Sequence, residues 1–154
     1  MTPSSKARVI LMAEDDGDDQ VLAQDAFAES GIEGELRFVN NGEDLTDYLW
    51  RRGKFTLAAN SPRPALILLD LNMPRKDGRQ VLREIKADPE LRRIPVVVLT
   101  TSKADTDIGS IYELGANSFI SKPAQFNSLV NIMKLLGQYW LGAVELPALK
   151  GSFV

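Results

Sequence analysis

Cysteine and histidine are both missing from the 154 residues. Without cysteine there is no disulfide framework and no thiolate metal site, so nothing asks for an oxidising compartment and a cytoplasmic protein is expected. Without histidine there is no His-ligated zinc, no Ser–His triad and no phosphohistidine carried by the chain itself. Long apolar runs are missing too: none approaches the ~20 residues that span a bilayer, and residues 1–8 lack a signal-peptide core. A basic excess is also absent. The formal net charge is −3, and Glu14, Asp15, Asp16, Asp18 and Asp19 by themselves exceed it, so acidity is gathered in one place. No basic footprint exists for a phosphate backbone, and neither direct DNA binding nor membrane insertion is expected.

What is present suits one globular domain. With 44% hydrophobic and 25% charged residues the chain can bury one core but is too short for two ordinary domains. Short apolar, β-branched-rich runs at 9–13, 36–39, 65–69, 95–99 and 118–120 read as strands, and amphipathic stretches at 18–29, 43–52, 79–87, 105–114 and 125–140 read as helices. Leu66-Ile-Leu-Leu69 and Val96-Val-Val-Leu99 are apolar at every position, which suits strands covered on both faces. The fold class is therefore α/β, a (βα)5 doubly wound parallel sheet of five strands. Gly31, Gly34, Asn41-Gly42, Gly78 and Gly115 mark helix caps or turns, and residues 53–64 read as an irregular loop, the longest connection.

In an open parallel sheet, ligand-binding groups gather at the carboxyl ends of the strands. Here those ends carry Glu14-Asp15-Asp16, Asp70-Leu-Asn72, Thr100-Thr101-Ser102 and Lys122-Pro123. Carboxylates converging with a backbone carbonyl form a hard oxygen site of the kind Mg²⁺ accepts. Without a cation, two carboxylates ~4 Å apart at an effective dielectric of ~20 repel by about 4 kcal/mol. Lys122 can offset charge on a phosphoryl oxygen, and the Thr100 hydroxyl can donate to another. Each feature has an ordinary reading by itself: Asp16 or Asp18 as a helix cap, Lys122 as a solvated charge, Thr100 as a strand-end hydroxyl. Their coincidence at four strand ends points to phosphoryl transfer.

The chain resembles the receiver domain of two-component response regulators. The resemblance is carried by Ile10-Leu-Met-Ala-Glu14-Asp15-Asp16, Leu66-Ile-Leu-Leu-Asp70-Leu-Asn72-Met-Pro74, Pro95-Val-Val-Val-Leu-Thr100-Thr-Ser102, and Gly115-Ala116 followed by Lys122-Pro123, and it spans roughly residues 8–138. It implies a flavodoxin-like receiver fold, Asp70 as the phosphoacceptor for a sensor histidine kinase, and Mg²⁺ held by Glu14, Asp15, Asp70 and the backbone carbonyl of Asn72. It implies further that Thr100 and Lys122 contact the phosphoryl group, that Phe119 is an aromatic switch, and that the Lys122–Pro123 peptide is a candidate for the cis form. The similarity is closer still to the small regulators that partner bacterial and cyanobacterial phytochromes, which share Leu99-Thr-Thr-Ser102, a long loop before the third strand and a tail like Tyr139-Trp140-Leu-Gly. One departure is Thr101, where many receivers carry Ala or Gly; the larger side chain narrows access to Asp70.

Three rival readings weaken: a receiver-like adaptor that has lost phosphorylation would lack the acids or the lysine, and all of them are present. Aspartyl phosphatases typically carry Asp-x-Asp, but position 72 is Asn, which argues for a phosphoacceptor signalling module and against an enzyme with turnover. An EF-hand reading of 15–20 fails because the glycine falls at 17 and no twelve-residue loop ends in a suitable Glu. The expected layout is an N-terminal extension at 1–7, a receiver at 8–138 and a tail at 139–154. The 16 residues after Gln138 are too few for a DNA-binding unit, so output by protein contact is expected. Gly109, inside a predicted helix, marks either a softened element or a close packing contact. Along the last helix, Phe126, Leu129, Val130, Met133 and Trp140 form a stripe that can face the sheet, while Ile132, Leu135, Leu136 and Tyr139 form a second, which is either covered by the tail folding back or buried against another chain; the resemblance to the phytochrome-partner regulators implies the latter, a homodimer.

Overall fold

The computed structural model describes residues 8–101 and 105–147. Five parallel strands, β1 (Val9–Ala13), β2 (Glu35–Val39), β3 (Leu66–Leu69), β4 (Val96–Thr100) and β5 (Ser118–Ser121), form one sheet in the order β2-β1-β3-β4-β5. The chain steps outward from β1 to β2 and then returns across β1 to β3, which leaves a crevice at the carboxyl ends of β1 and β3 where the direction reverses. Five helices alternate with the strands: α1 (Gly17–Ser30), α2 (Gly42–Trp50), α3 (Gly78–Ala87), α4 (Asp105–Glu113) and α5 (Phe126–Gln138). Among the described residues no helix is long and apolar enough to cross a membrane.

The period-2 geometry of the strands splits the core in two. Leu11, Ala13, Ile67, Leu69, Val96 and Val98 face α2, α3 and α4, where they meet Leu45, Leu49, Val81, Leu82, Ile85 and Ile111. Ile10, Met12, Leu66, Leu68, Val97 and Leu99 face the other way, toward Ala23, Ala26 and Phe27 of α1 and Met133 and Leu136 of α5. That is why the strand runs are apolar at every position.

The loop after α2 is better ordered than its composition suggests. It holds two 3-10 turns, Gly53–Phe55 and Ala58–Asn60. The buried Ser61 hydroxyl donates to the carbonyls of Phe55 (3.0 Å) and Leu57 (3.2 Å), and Tyr48 Oη donates to the Pro62 carbonyl (2.6 Å). Gly109 has open space where a Cβ would sit, so close packing is not its reason.

The last helix corrects the stripe assignment. Met133 and Leu136 are both buried, at 1% and 7% exposed, whereas Phe126, Leu135 and Tyr139 are 38%, 64% and 54% exposed. Leu136 is therefore buried while still bordering the groove that Ile132, Leu135 and Tyr139 line, and Phe126 leaves the sheet-facing stripe. The reason is geometric: Leu129, Met133, Leu136 and Trp140 follow the i, i+4, i+7, i+11 rhythm of one buried face, while Phe126 sits at the helix start. At Gly137 a Cβ would lie 2.5 Å from Ile32, so the glycine allows α5 to close on the end of α1. The helix runs on into a π-helical turn, Tyr139–Ala143, and the Leu141 carbonyl accepts from Arg8 Nη1 at 3.4 Å. The proposed N-terminal extension and residues 148–154 lie outside the described residues, as does Ser102.

After α3, the Asp88 carboxylate accepts from the backbone N–H groups of Glu90 (2.8 Å) and Leu91 (2.9 Å). These bonds, that from Leu91 foremost, hold its carboxyl below the usual carboxylate range. A depressed carboxyl contributes stability above its unfolded value of about 3.8, and that stability is lost as pH falls through the folded value. Asp88→Ala should thus cost about 1 kcal/mol at pH 7, a cap-sized loss. In urea melts stepped down toward about pH 3 the gap to wild type should close; a gap that stays constant would count against this account.

Candidate functional site

The sheet ladder runs one rung past the regular strands and pins three site residues by their backbones. Glu14 N–H donates to the Val39 carbonyl (3.0 Å), Asp70 N–H to that of Ala13 (3.2 Å) and Lys122 N–H to that of Thr100 (2.8 Å). Carboxylate oxygens of Glu14, Asp15 and Asp70 consequently lie within 4.8 Å of one another at the β1–β3 crevice. Glu14 and Asp70 are buried and Asp15 is exposed.

Asp70 is approached from three directions. Thr100 Oγ1 donates to its Oδ1 at 3.0 Å, the Asn72 N–H to the same oxygen at 3.1 Å, and Lys122 Nζ to Oδ2 at 2.9 Å. Lys122 also donates to Glu14 Oε1 in a short contact, and to Asp19 Oδ2 at 3.3 Å. Burial pushes the Glu14 carboxyl above the ordinary carboxylate range, against the opposing effects of Lys122 and the Asp16 N–H. For Lys122, burial works to lower the ammonium pKa, but its bonds to Glu14 and Asp70 outweigh that and raise it above the ordinary lysine range. The lysine is therefore a fixed positive charge inside a cluster that remains net negative.

Glycines shape the crevice. A Cβ on Gly78, the first residue of α3, would lie 2.7 Å from the Asp70 carbonyl oxygen, and one on Gly42 would lie 2.0 Å from that of Lys76. No other residue lets α2 and α3 begin this close to the loop that carries Asn72. Phe119 is half-buried on β5 against the α2–α4 side of the core, and its N–H donates to Tyr112 Oη at 3.1 Å. Because Val98 pairs with Phe119 and Thr100 with Ser121, Thr100 and Phe119 share one face of the sheet as diagonal neighbours.

Asp19 and Gln20 belong to this site although sequence pattern alone does not single them out. Asp16 caps α1 by accepting from the N–H groups of Asp18 and Asp19, which sets Asp19 facing Lys122. Gln20 Nε2 donates to the Glu14 carbonyl and to Asn40 Oδ1, both at 2.7 Å, tying the ends of β1 and β2 together. Their positions on the first turn of α1 were visible, but not which way that turn would point. The Lys122–Pro123 peptide is trans, not cis, since no cis bond occurs among the described residues. The trans form is favoured by ≈ 0.5–1 kcal/mol before any tertiary contact, and Lys122 reaches Glu14 and Asp70 with it in place.

Residues 10–134 match the response regulator receiver domain. This chain belongs to the response regulator receiver family. The receiver is 43% identical over 145 residues to the response regulator Rcp1 of Synechocystis sp., spanning 94% of this chain and 97% of Rcp1. The crystal structure of Rcp1 in its Mn²⁺-bound form aligns with a TM-score of 0.81 at 44% identity, over 92% of this chain and 99% of that one. The phosphorylated cyanobacterial phytochrome response regulator RcpA aligns at 0.84 and 44% identity, over 93% and 100% of the two chains. RPA3017, a response regulator in red light signalling of R. palustris, aligns at 0.87 and 37% identity, over 92% and 99%.

Receivers bind a divalent metal, and the residues here fit one. Among the described residues the crevice offers hard oxygen donors, with an exposed Asp15 at the mouth and buried Glu14 and Asp70 behind it. The carboxyl of Glu14, disfavoured as an anion by burial, is the donor that gains from added positive charge.

Proposed function

We propose that this receiver accepts a phosphoryl group on Asp70 from a sensor histidine kinase of the bacteriophytochrome type, in a Mg²⁺-dependent reaction, and signals by protein contact. The observation that carries the reading is the convergence of Thr100 Oγ1, the Asn72 N–H and Lys122 Nζ on one buried carboxylate. The similarity to RcpA and to RPA3017 supports the choice of kinase, and such a partner goes with a cytoplasmic location.

A carboxylate oxygen of Asp70 forms the bond to phosphorus while the bond from phosphorus to the donor imidazole nitrogen breaks. That nitrogen keeps the electron pair and takes a proton from solvent. Glu14, Asp15, Asp70 and the Asn72 carbonyl would hold Mg²⁺, which when bound supplies a divalent charge against the oxygens of the transferring group. Lys122 Nζ moves from its carboxylate partners to a phosphoryl oxygen, and Thr100 Oγ1 donates to another. Thr100, turned toward the phosphate, vacates space beside Phe119 on the same sheet face, which lets the ring swing inward and alters the α4–β5 surface. The receiver promotes only its own phosphorylation and dephosphorylation, and has no need of contact with DNA. Residues 8–138 act as this unit, with the segment from Tyr139 onward available to a partner.

Incubation with acetyl phosphate and Mg²⁺, followed by peptide mapping, should place an acid-stable but base-labile label on the peptide holding Asp70. Label elsewhere, or none, would overturn the reading.

Association of two copies through α5 is part of the same proposal. Ile132, Leu135, Leu136 and Tyr139, with Ile120 of β5 and Trp140, line an apolar groove of about 220 Å³ beside the sheet edge. A two-fold contact is self-complementary, so one change acts twice. Leu135→Glu with Tyr139→Glu should convert a dimer into a folded monomer in light scattering across concentration. A wild-type protein that is monomeric throughout would overturn it.

A further inference from the structure

Of the three carboxylates that meet the Lys122 ammonium, Asp19 has no place in the chemistry described so far. Glu14 and Asp70 are buried, but the Asp19 side chain is 43% exposed and its oxygen is the most distant of the three, at 3.3 Å against 2.9 Å for Asp70. An acid in the first turn of a helix is ordinarily placed to favour the N-terminal end of the helix dipole and faces water. Asp18, its neighbour, is exposed and makes no contact with Lys122. Asp19 instead is set toward the lysine by the Asp16 cap, which fixes its backbone N–H at 3.2 Å from Asp16 Oδ1. It borders a small cavity of about 50 Å³ that Glu14, Leu22, Lys122 and Pro123 also line.

An ammonium has three N–H donors, and here three carboxylates are ready for them. For Lys122 to bond a phosphoryl oxygen it must give up one of these partners. Glu14 and Asp70 are taken up by the chemistry itself, one as a metal donor and one as the acceptor of phosphorus. Asp19 is the partner that nothing displaces. A phosphoryl oxygen bonded to Nζ lies within two hydrogen-bond lengths of the Asp19 carboxylate, roughly 6 Å. At that range like charges repel even through water, by an amount worth about threefold in rate for each unit of phosphoryl charge.

We infer that Asp19 is a positioning residue that holds Lys122 back from the phosphoryl group and, through its charge, slows the phosphorylation of Asp70. The inference rests on the proposed function above. It assigns to an exposed first-turn acid the setting of the rate at which this receiver is charged.

The test measures the initial rate of Asp70 labelling by acetyl phosphate and Mg²⁺ on the full chain. In that step the Asp70 oxygen bonds to phosphorus and acetate leaves with the electron pair of the broken bond. At low ionic strength Asp19→Asn should be about threefold to tenfold faster than wild type. The advantage should shrink toward unity at 1 M salt, where the screening length is about 3 Å. Asp19→Glu should stay near the wild-type rate, and Asp18→Asn, which removes the same charge without touching Lys122, should have less than half the effect. Mg²⁺ affinity by calorimetry should change by less than about threefold in Asp19→Asn, because the residue acts through Lys122 and is no metal donor, and Asp19→Ser serves if the amide variant melts early. A rate at or below wild type, an acceleration indifferent to salt, or an equal effect from Asp18→Asn would each overturn the inference alone. Absence of label on wild-type Asp70 would instead remove the proposed function and the inference with it.

Discussion

Asp70→Asn should lose labelling by either acetyl phosphate or a cognate kinase by at least about 100-fold, because an amide offers no anionic oxygen to attack phosphorus. The substitution keeps the shape of the side chain and one carbonyl oxygen. That oxygen can still accept from Thr100 Oγ1 and the Asn72 N–H, which now lie 3.0 and 3.1 Å from Asp70 Oδ1. What is lost is the charge facing Lys122 at 2.9 Å. Glu14 and Asp19 remain to pair the ammonium, so stability in urea should stay within about 1 kcal/mol of wild type. The variant thereby separates chemistry from folding. Label on Asp70→Asn equal to that on wild type would mean that another residue is the acceptor.

Lys122→Met should produce the largest change in stability. It removes the cation from a buried group and leaves Glu14 at 1% and Asp70 at 7% exposure without their shared counter-charge. Taking one partner from a buried ion pair typically costs 3–5 kcal/mol, and water reaching the site through the crevice puts the expected loss near the lower end, about 3 kcal/mol. A divalent cation should restore much of it. An ion that binds only the folded state adds about 2.7 kcal/mol at a hundredfold excess over its dissociation constant, and loss of the competing ammonium frees the Glu14 and Asp70 oxygens for it. Urea melts of both proteins, with and without Mg²⁺, decide the matter. Equal stability of variant and wild type in metal-free buffer would show that Lys122 is not needed to balance the acids.

The same residues show how far a reading of the chain alone can reach. Ile10-Leu-Met and Val96-Val-Val-Leu99 announced strands covered on both faces because every position is apolar, and a period of two sends alternate side chains to opposite layers. Asp16 could be read as a cap and Asp70, Thr100 and Lys122 as strand-end groups, since all of these follow from local pattern. Phe126 departs from the sheet-facing stripe for the complementary reason. Helical periodicity ranks faces but does not say where along a face the cover of the sheet ends, and Phe126 is the first residue of α5.

Separation along the chain sets the remaining boundary. Local residue patterns determined the succession of strands and helices, the turn glycines, and which polar groups would stand at the ends of the strands, because each depends on neighbours a few positions away. The tertiary structure decided what those groups touch. Lys122 meets Glu14 across 108 positions and Asp19 across 103, and Asp70 across 52. Contacts of that span depend on the order β2-β1-β3-β4-β5 and on a ladder register that brings the strand ends level. Register and order are settled by the packing of two apolar layers at once, a cooperative property of the whole core, and no short stretch of sequence contains it.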